Sequence, residues 1–382
     1  MSGIGGYYDA LGESADSLTL RSASRALTLR GRDRADAALF SGAAILCNSR
    51  TSGSKTGGRM PFCFDELTVA VDGAEWESRE RCEHLVESYR ERGLACIGEM
   101  TGHFALALYD AKKKCLLLAR DASGGAPLYL TMEGKRCLFS SRIGGLRALM
   151  RQESGIDLDA LERHIIASPY GRAACRLYRN VGEVLPGECI FLSEAGVQRF
   201  PDLCGFFMEP LVIGEVRQVP AANPSAGLFE LLRDALYAFE YPQFDAWMPS
   251  YAALLRALGA EGVERAWVED AVRYADLSYA YEREARLGAW YGVESVGVAP
   301  ERMRREHENF SRLEEALTRM LWEEEERDDI LIRLFGEAFL ESVARQRGRT
   351  CRIRMLGMLL QTRIWFCESG CSFFSEKRDE IF

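Results

Sequence analysis

Histidine is scarce in this chain: four in 382 residues, widely dispersed. No pair of them has a visible partner, so the sequence gives no support to a His-based acid–base or metal site. An excess of positive charge is also missing. The net charge is −9 and the basic residues are scattered, which excludes the electrostatic footprint of a nucleic-acid binder. The Arg-rich stretch from Arg345 to Arg354 reads as solvated helix faces or as partners for the nearby acidic runs. No apolar run reaches membrane-spanning length, and no charged segment followed by an apolar stretch opens the chain. Neither a membrane nor a secretory route is therefore expected, and the location expected is cytoplasmic. The twelve cysteines then read as reduced thiols that fill the core. They lack metal-ligand spacing. Cys367 and Cys371 share a possible helix face, but zinc needs two more ligands of similar type.

What is present is an ordinary globular composition, 47% hydrophobic and 27% charged, with length for roughly two domains. The first half is strand-rich. Phe62 to Val71 ends at the Asp72-Gly73 turn signal. Phe104 to Tyr109 and Cys115 to Ala119 flank three lysines and predict a buried hairpin. Leu128 to Met132 and Cys137 to Ser141, around Glu133-Gly134-Lys135, predict another. Helices are predicted over Glu75 to Arg92, Ile143 to Met150 and, capped by Asp157, up to Ile166. A strand follows at Cys189 to Leu192, and four prolines between 201 and 225 mark a linker. Helical spacing dominates beyond it, over Leu228–Phe239, Tyr251–Leu258, Trp267–Tyr291, Arg312–Trp322, Ile330–Arg345 and Met355–Trp365. Tyr281 and Glu284 read as part of a surface network, and the tryptophans of this half as core.

Five landmarks recur at family-like spacing: Met1-Ser2-Gly3-Ile4-Gly5-Gly6, Arg30-Gly31-Arg32-Asp33, Gly57-Gly58-Arg59-Met60-Pro61, Gly102-His103-Phe104 through Asp110, and Ala119-Arg120-Asp121 through Tyr129. Together they resemble the glutaminase half of glutamine-hydrolysing asparagine synthetases, the class II glutamine amidotransferases. The resemblance implies an α+β protein: an N-terminal-nucleophile type αββα layered sandwich over residues 1–200, a linker over 201–226, and a reduced, mainly helical synthetase-like domain over 227–382. It also implies a homodimer or a protein partner. Arg120 and Asp121 are expected as buried paired charges.

The same resemblance locates the chemistry and shows it replaced. The family's Cys nucleophile, exposed once Met is removed, is Ser2 here. Serine is a far weaker acid than a thiol, and depends on a base taking its proton. An ungapped match puts Ser49 at the family's substrate-gripping Arg, with Arg50 one residue off and so on the other strand face. The Asn-Gly-Glu motif is Asp72-Gly73-Ala74, and the family Asp is Thr101. Each lost charged contact is worth about 1.5–3 kcal/mol. Asp72 puts an anion where a developing oxyanion needs an amide donor. Gly73 keeps only its backbone N–H.

In the second half the Ser-Gly-Gly-x-Asp-Ser loop that holds ATP is replaced by Glu240-Tyr241-Pro242-Gln243-Phe244-Asp245-Ala246-Trp247. Ser123-Gly124-Gly125 lies within a glutaminase landmark, and the Gly-Gly-Asp-Glu metal segment is missing. No cofactor is expected, although ATP and Mg are the family's. Only Arg354 to Trp365 resembles the terminal synthetase helix. Three functions follow: a non-catalytic or regulatory homologue, an active glutamine-hydrolysing asparagine synthase-type ligase, or an N-terminal Ser amidohydrolase using Ser2.

Overall fold

A computed structural model describes residues 2–50, 60–73, 76–152, 154–167, 177–201, 203–204, 227–244, 248–263, 265–267, 285–296, 306–322, 329–345, 349–369 and 373–374. The chain forms two compact units that interleave in sequence. The first takes Met1–Ser154, Asn180–Pro210 and Tyr281–Gly292; the second takes Gly155–Arg179, Leu211–Ala280 and Val293–Phe382.

The first unit is built on two six-stranded antiparallel sheets. One contains β1 (Gly3–Asp9), β2 (Arg34–Phe40), β3 (Ala43–Ser49), β8 (Tyr129–Glu133), β9 (Arg136–Ser140) and β10 (Gly182–Glu183), in the order β10-β8-β9-β1-β3-β2. The other contains β4 (Phe62–Phe64), β5 (Leu67–Asp72), β6 (Ala105–Asp110), β7 (Cys115–Arg120), β11 (Cys189–Ser193) and β12 (Gly196–Phe200), in the order β12-β11-β7-β6-β5-β4. The sheets meet where β1 and β3 lie against β5. Helices α1 (Ser17–Leu27) and α3 (Ile143–Leu149) cover the first sheet, and α2 (Arg79–Arg92) lies against β4 of the second. Helix, sheet, sheet and helix therefore stack in four layers, an α+β architecture.

Local sequence explains these layers. Every residue of β6 and β7 is buried, because both faces of a central strand in such a stack are covered; their runs are accordingly continuous rather than alternating. Edge strand β2 instead alternates exposed and half-buried positions. Helix α1 starts at Asp16, whose carboxylate accepts from the Leu18 and Thr19 amides at 2.8 and 2.9 Å, and buries Leu20, Ala23 and Leu27 along one stripe. Helix α2 begins at Arg79 rather than near Glu75, four residues later than the sequence predicts.

Register gathers the polar ends. In the second sheet Asp72 pairs with Ala105 and Ala105 with Arg120; in the first, Gly5 pairs with Ser140, Ser140 with Tyr129 and Tyr129 with Glu183. Two ion pairs, Arg30–Asp72 and Arg120–Glu183, tie these rows together at one end of the sandwich.

The second unit is mainly helical. Its longest helix, Arg349–Ser369, packs against Glu306–Trp322, Leu228–Phe239, Glu337–Ala344 and Leu158–Ala167. Residues 355–362 of that helix are buried almost all round, Gln361 and Thr362 included, as expected of a central helix. Gln361 spends its amide on the Gln243 N–H at 2.7 Å and the Leu232 carbonyl at 3.2 Å. Of the tryptophans, Trp365 is buried edge-on to Tyr178, whereas Trp322 is exposed. The single helix expected over Ile330–Arg345 is broken into Asp329–Phe335 and Glu337–Ala344, because Gly336 adopts a left-handed φ of 76°. At the start of the predicted helix Trp267–Tyr291 the chain is extended: Arg265–Trp267 pairs in parallel with Glu294–Val296. The end of that stretch, residues 285–291, is helical. Tyr281, Glu284, Cys371 and most of the proline-rich linker lie outside the described residues. No described helix is long and apolar enough to cross a membrane.

Candidate functional site

The polar end of the first unit brings Ser2, Asp72, Gly73 and Thr101 into one neighbourhood. Ser2 is buried immediately before β1, and its hydroxyl donates to Glu77 Oε1 at 2.9 Å. Asp72 ends β5. Its Oδ2 accepts from Arg30 Nε at 2.7 Å, and both side chains are almost wholly shielded from solvent. Arg30 stands just past α1 and packs against β1: a Cβ built on Gly3 would sit 3.2 Å from Arg30 Cβ. Gly73 follows in a tight turn whose carbonyl accepts from the Trp76 amide at 3.0 Å. A side chain there would meet the His103 carbonyl oxygen at 2.4 Å, so only glycine allows this approach. Thr101 contributes its backbone, accepting from Trp76 Nε1 at 3.0 Å. Ala74, the third residue of that motif, lies outside the described residues. Ser49 closes β3 opposite Arg34, and Arg50 is exposed.

Beside these residues lies a second polar cluster. His103 Nδ1 is 2.7 Å from Ser123 Oγ, and that hydroxyl donates to Asp121 Oδ1. Asp121 also accepts from the amides of Phe104, Gly125 and Ala126, each at 3.2 Å. Burial pushes the Asp121 carboxyl up, but the hydrogen bond and charge of His103, then Arg120 and Ser123, outweigh it and hold the group below its ordinary value. Arg120 is buried and paired, as expected, though its partner is remote in sequence. Its guanidinium donates to Glu183 Oε1 at 2.7 Å and to the carbonyls of Gly124, Ala126 and Val184 at 2.6, 2.8 and 3.0 Å. Arg286, in the helical turn at residues 285–291, donates to the same Glu183 oxygen and to Tyr129 Oη. One carboxylate thus lies between two guanidiniums in a site closed to water.

The arrangement is acceptor-rich where the resemblance requires donors. A carboxylate engaged by a guanidinium has no proton to offer a developing oxyanion. Sequence reasoning singled out Ser2, Asp72, Gly73 and Thr101 but missed Glu77 and Arg30, the partners of Ser2 and Asp72, and, in the neighbouring cluster, Glu183 and Arg286. Arg30 lies within a landmark already quoted, so position was available as a signal; its partner, 42 residues on, was not.

A family model described as a glutamine amidotransferase domain matches residues 62–201. These residues are similar to a glutamine amidotransferase domain. Asparagine synthetase [glutamine-hydrolyzing] 3 of Bacillus subtilis is 28% identical over 125 residues, covering 33% of this chain and 20% of that protein. Putative asparagine synthetase [glutamine-hydrolyzing] 2 of Methanocaldococcus jannaschii is 30% identical over 112 residues, covering 28% and 21%. Among solved structures, the glutamine phosphoribosylpyrophosphate amidotransferase from B. subtilis complexed with ADP and GMP aligns over 77% of this chain and 65% of that one, at 14% identity and a TM-score of 0.34. The matches to these two synthetases span about a fifth of their length. The chain is similar to glutamine-hydrolysing asparagine synthetases over about a third of its length, and Asp72 and Thr101 both fall inside the residues that the amidotransferase domain model matches.

Proposed function

We propose that this chain is an asparagine-synthetase-like homologue that has lost glutaminase and ATP-dependent ligase chemistry and acts as a non-catalytic or regulatory protein, through a protein partner or a second copy of itself. The observation that carries this reading is the buried Arg30–Asp72 pair. It fills the position of a neutral amide donor with a neutralised acceptor, and a glutamine carbonyl gains nothing there as charge develops on its oxygen. The replaced ATP loop and metal segment support the same reading, without nucleotide or metal as cofactor. A cytoplasmic place of work, where thiols stay reduced, is part of the same proposal.

The test is ammonia release from glutamine, with and without ATP–Mg²⁺ and aspartate. The expected rate equals that of the Ser2→Ala variant and of buffer. Ammonia released at a Ser2-dependent rate, or ATP consumed, overturns the reading. One observation favours a second reading, an N-terminal Ser amidohydrolase: the Ser2 hydroxyl already donates to a carboxylate that can take its proton. Mass spectrometry of the N-terminus decides it, since retained Met1 leaves no N-terminal serine.

A further inference from the structure

We propose that the free edge of strand β2 is the surface through which a second copy of this chain binds. The two strands pair antiparallel across a two-fold axis at Ala35, so that Arg34 of each protomer faces the partner's Asp36. The proposal rests on the second-copy half of the functional reading above and names the surface that serves it.

An end strand exposes a row of backbone N–H and C=O groups that can extend the sheet into another chain. Proteins blunt such edges by keeping them short, by lysine or proline, by a bulge, or by a covering helix or loop. Three of the four end strands in the first unit are the shorter ones: β10 has two residues, β4 three and β12 five. Strand β2 has seven, without proline or lysine, and among the described residues no strand pairs with its outer side. Its ladder to β3 starts at Asp33, whose N–H donates to the Ser49 carbonyl at 3.1 Å, and keeps an unbroken register to Phe40, so no bulge turns the edge away. Phe40 sets the faces. Its ring centroid lies 4.7 Å from that of Tyr109 in the second sheet, so the even positions point inward and Ala35, Ala37 and Leu39 outward. All three outward residues are exposed, and the two alanines leave the backbone open to approach.

The charges select both partner and register. Neither Arg34 nor Asp36 forms an ion pair among the described residues. A two-fold axis normal to the sheet keeps every side chain on its own face, so residues set opposite each other are both odd or both even. Centring on Asp36 would set two carboxylates against each other. Centring on Ala37 would give Arg34 the partner's Phe40 and Asp36 the partner's Ala38, leaving both charges unanswered. Centring on Ala35 makes the Arg34–Asp36 contact twice, with alanine against alanine between them. Opposite charges directly across a strand pair attract and like charges repel. The run Arg34-Ala35-Asp36 is therefore complementary to itself, and a second copy supplies the matching edge.

Sedimentation equilibrium of the full chain over a dilution series tests the contact. The 42.8 kDa chain is expected at twice that mass, dissociating on dilution. Arg34→Asp sets carboxylate against carboxylate at both contacts, and Asp36→Arg sets guanidinium against guanidinium; each is expected to weaken the dimer by about tenfold or more. The double variant Arg34→Asp/Asp36→Arg exchanges the pairs and is expected to restore association. Ala35→Lys places two ammonium groups across the axis and is expected to leave a monomer. A chain that is monomeric at every concentration overturns the proposal. So does a dimer that neither single reversal weakens, and so does a double variant that associates no better than the singles. Should a charge variant fail to fold, Ala35→Lys, at an exposed position, decides alone, and undiminished association overturns the proposal. Glutamine turnover is not read in this experiment, so loss of this contact leaves the absence of glutaminase chemistry standing, and ammonia release would leave the contact standing.

Discussion

Glu183→Gln is expected to destabilise the first unit by about 3–5 kcal/mol, the usual cost of removing one partner from a buried ion pair. Glu183 Oε1 sits between Arg120 and Arg286, and both guanidiniums are buried. Glutamine preserves the shape and an acceptor oxygen, but takes from two buried guanidiniums the carboxylate they share. Domains are commonly stable by only about 5–15 kcal/mol, so the loss is a large share of the total. Urea titration followed by circular dichroism should show the first unit's transition moving to much lower urea. The control is Arg286→Met, which removes one of the two guanidiniums and leaves the Arg120–Glu183 pair intact. Its cost should be less than half as large. If Arg286→Met proves the more damaging change, Arg286 acts by packing rather than charge, and the electrostatic account of this cluster is wrong.

These same residues show why part of the molecule was legible in sequence and part was not. The hairpin β6–β7 could be read because Phe104 to Tyr109 and Cys115 to Ala119 are uninterrupted apolar runs around a polar turn, a signal contained in about fifteen neighbouring positions. The observed strands, Ala105–Asp110 and Cys115–Arg120, fall within a residue of that reading. Strand β1 gives no such signal: Gly3-Ile4-Gly5-Gly6 neither alternates nor runs apolar, and its burial comes from neighbours β3 and β9 rather than its own composition. Helix α1 was missed for a similar reason. Only three of its eleven residues are buried, and Ser17, Thr19, Ser22 and Ser24 mask the stripe. Within the site, Ser2, Asp72 and Thr101 were singled out through the resemblance, which assigns a position to each. Glu77, Glu183 and Arg286 were not, because their bonds span 75, 63 and 103 residues and leave no local pattern. The break at Gly336 was missed because a lone glycine in an apolar periodic run reads as a tolerated helix residue until its φ is known.

Asp121→Ala is expected to cost several kcal/mol and to loosen the segment from Ser123 to Leu128. The carboxylate accepts from three backbone amides and from Ser123, and hydrogen bonds to a charged group are worth about 1.5–3 kcal/mol each before non-additivity. Amide hydrogen exchange should report faster opening at Phe104, Gly125 and Ala126. The pH dependence carries the sign of a depressed carboxyl. Asp121 in the folded chain lies below its ordinary value, so its stabilisation is complete above the unfolded carboxyl pKa of about 3.9 and is lost as pH falls below that towards the folded value. Acid unfolding of the unmodified protein should therefore steepen below about pH 4, where the unfolded chain binds the extra proton. In Asp121→Asn that contribution to the slope disappears. His103→Ala separates the causes, because among the groups that lower the carboxyl His103 stands first. Without the imidazole the folded carboxyl rises towards its ordinary value, the pH window narrows, and part of the stabilisation is gone at neutral pH. An unchanged acid-unfolding curve in His103→Ala would show that Arg120, Ser123 and the backbone amides hold the charge without it, and that His103 has no share in it.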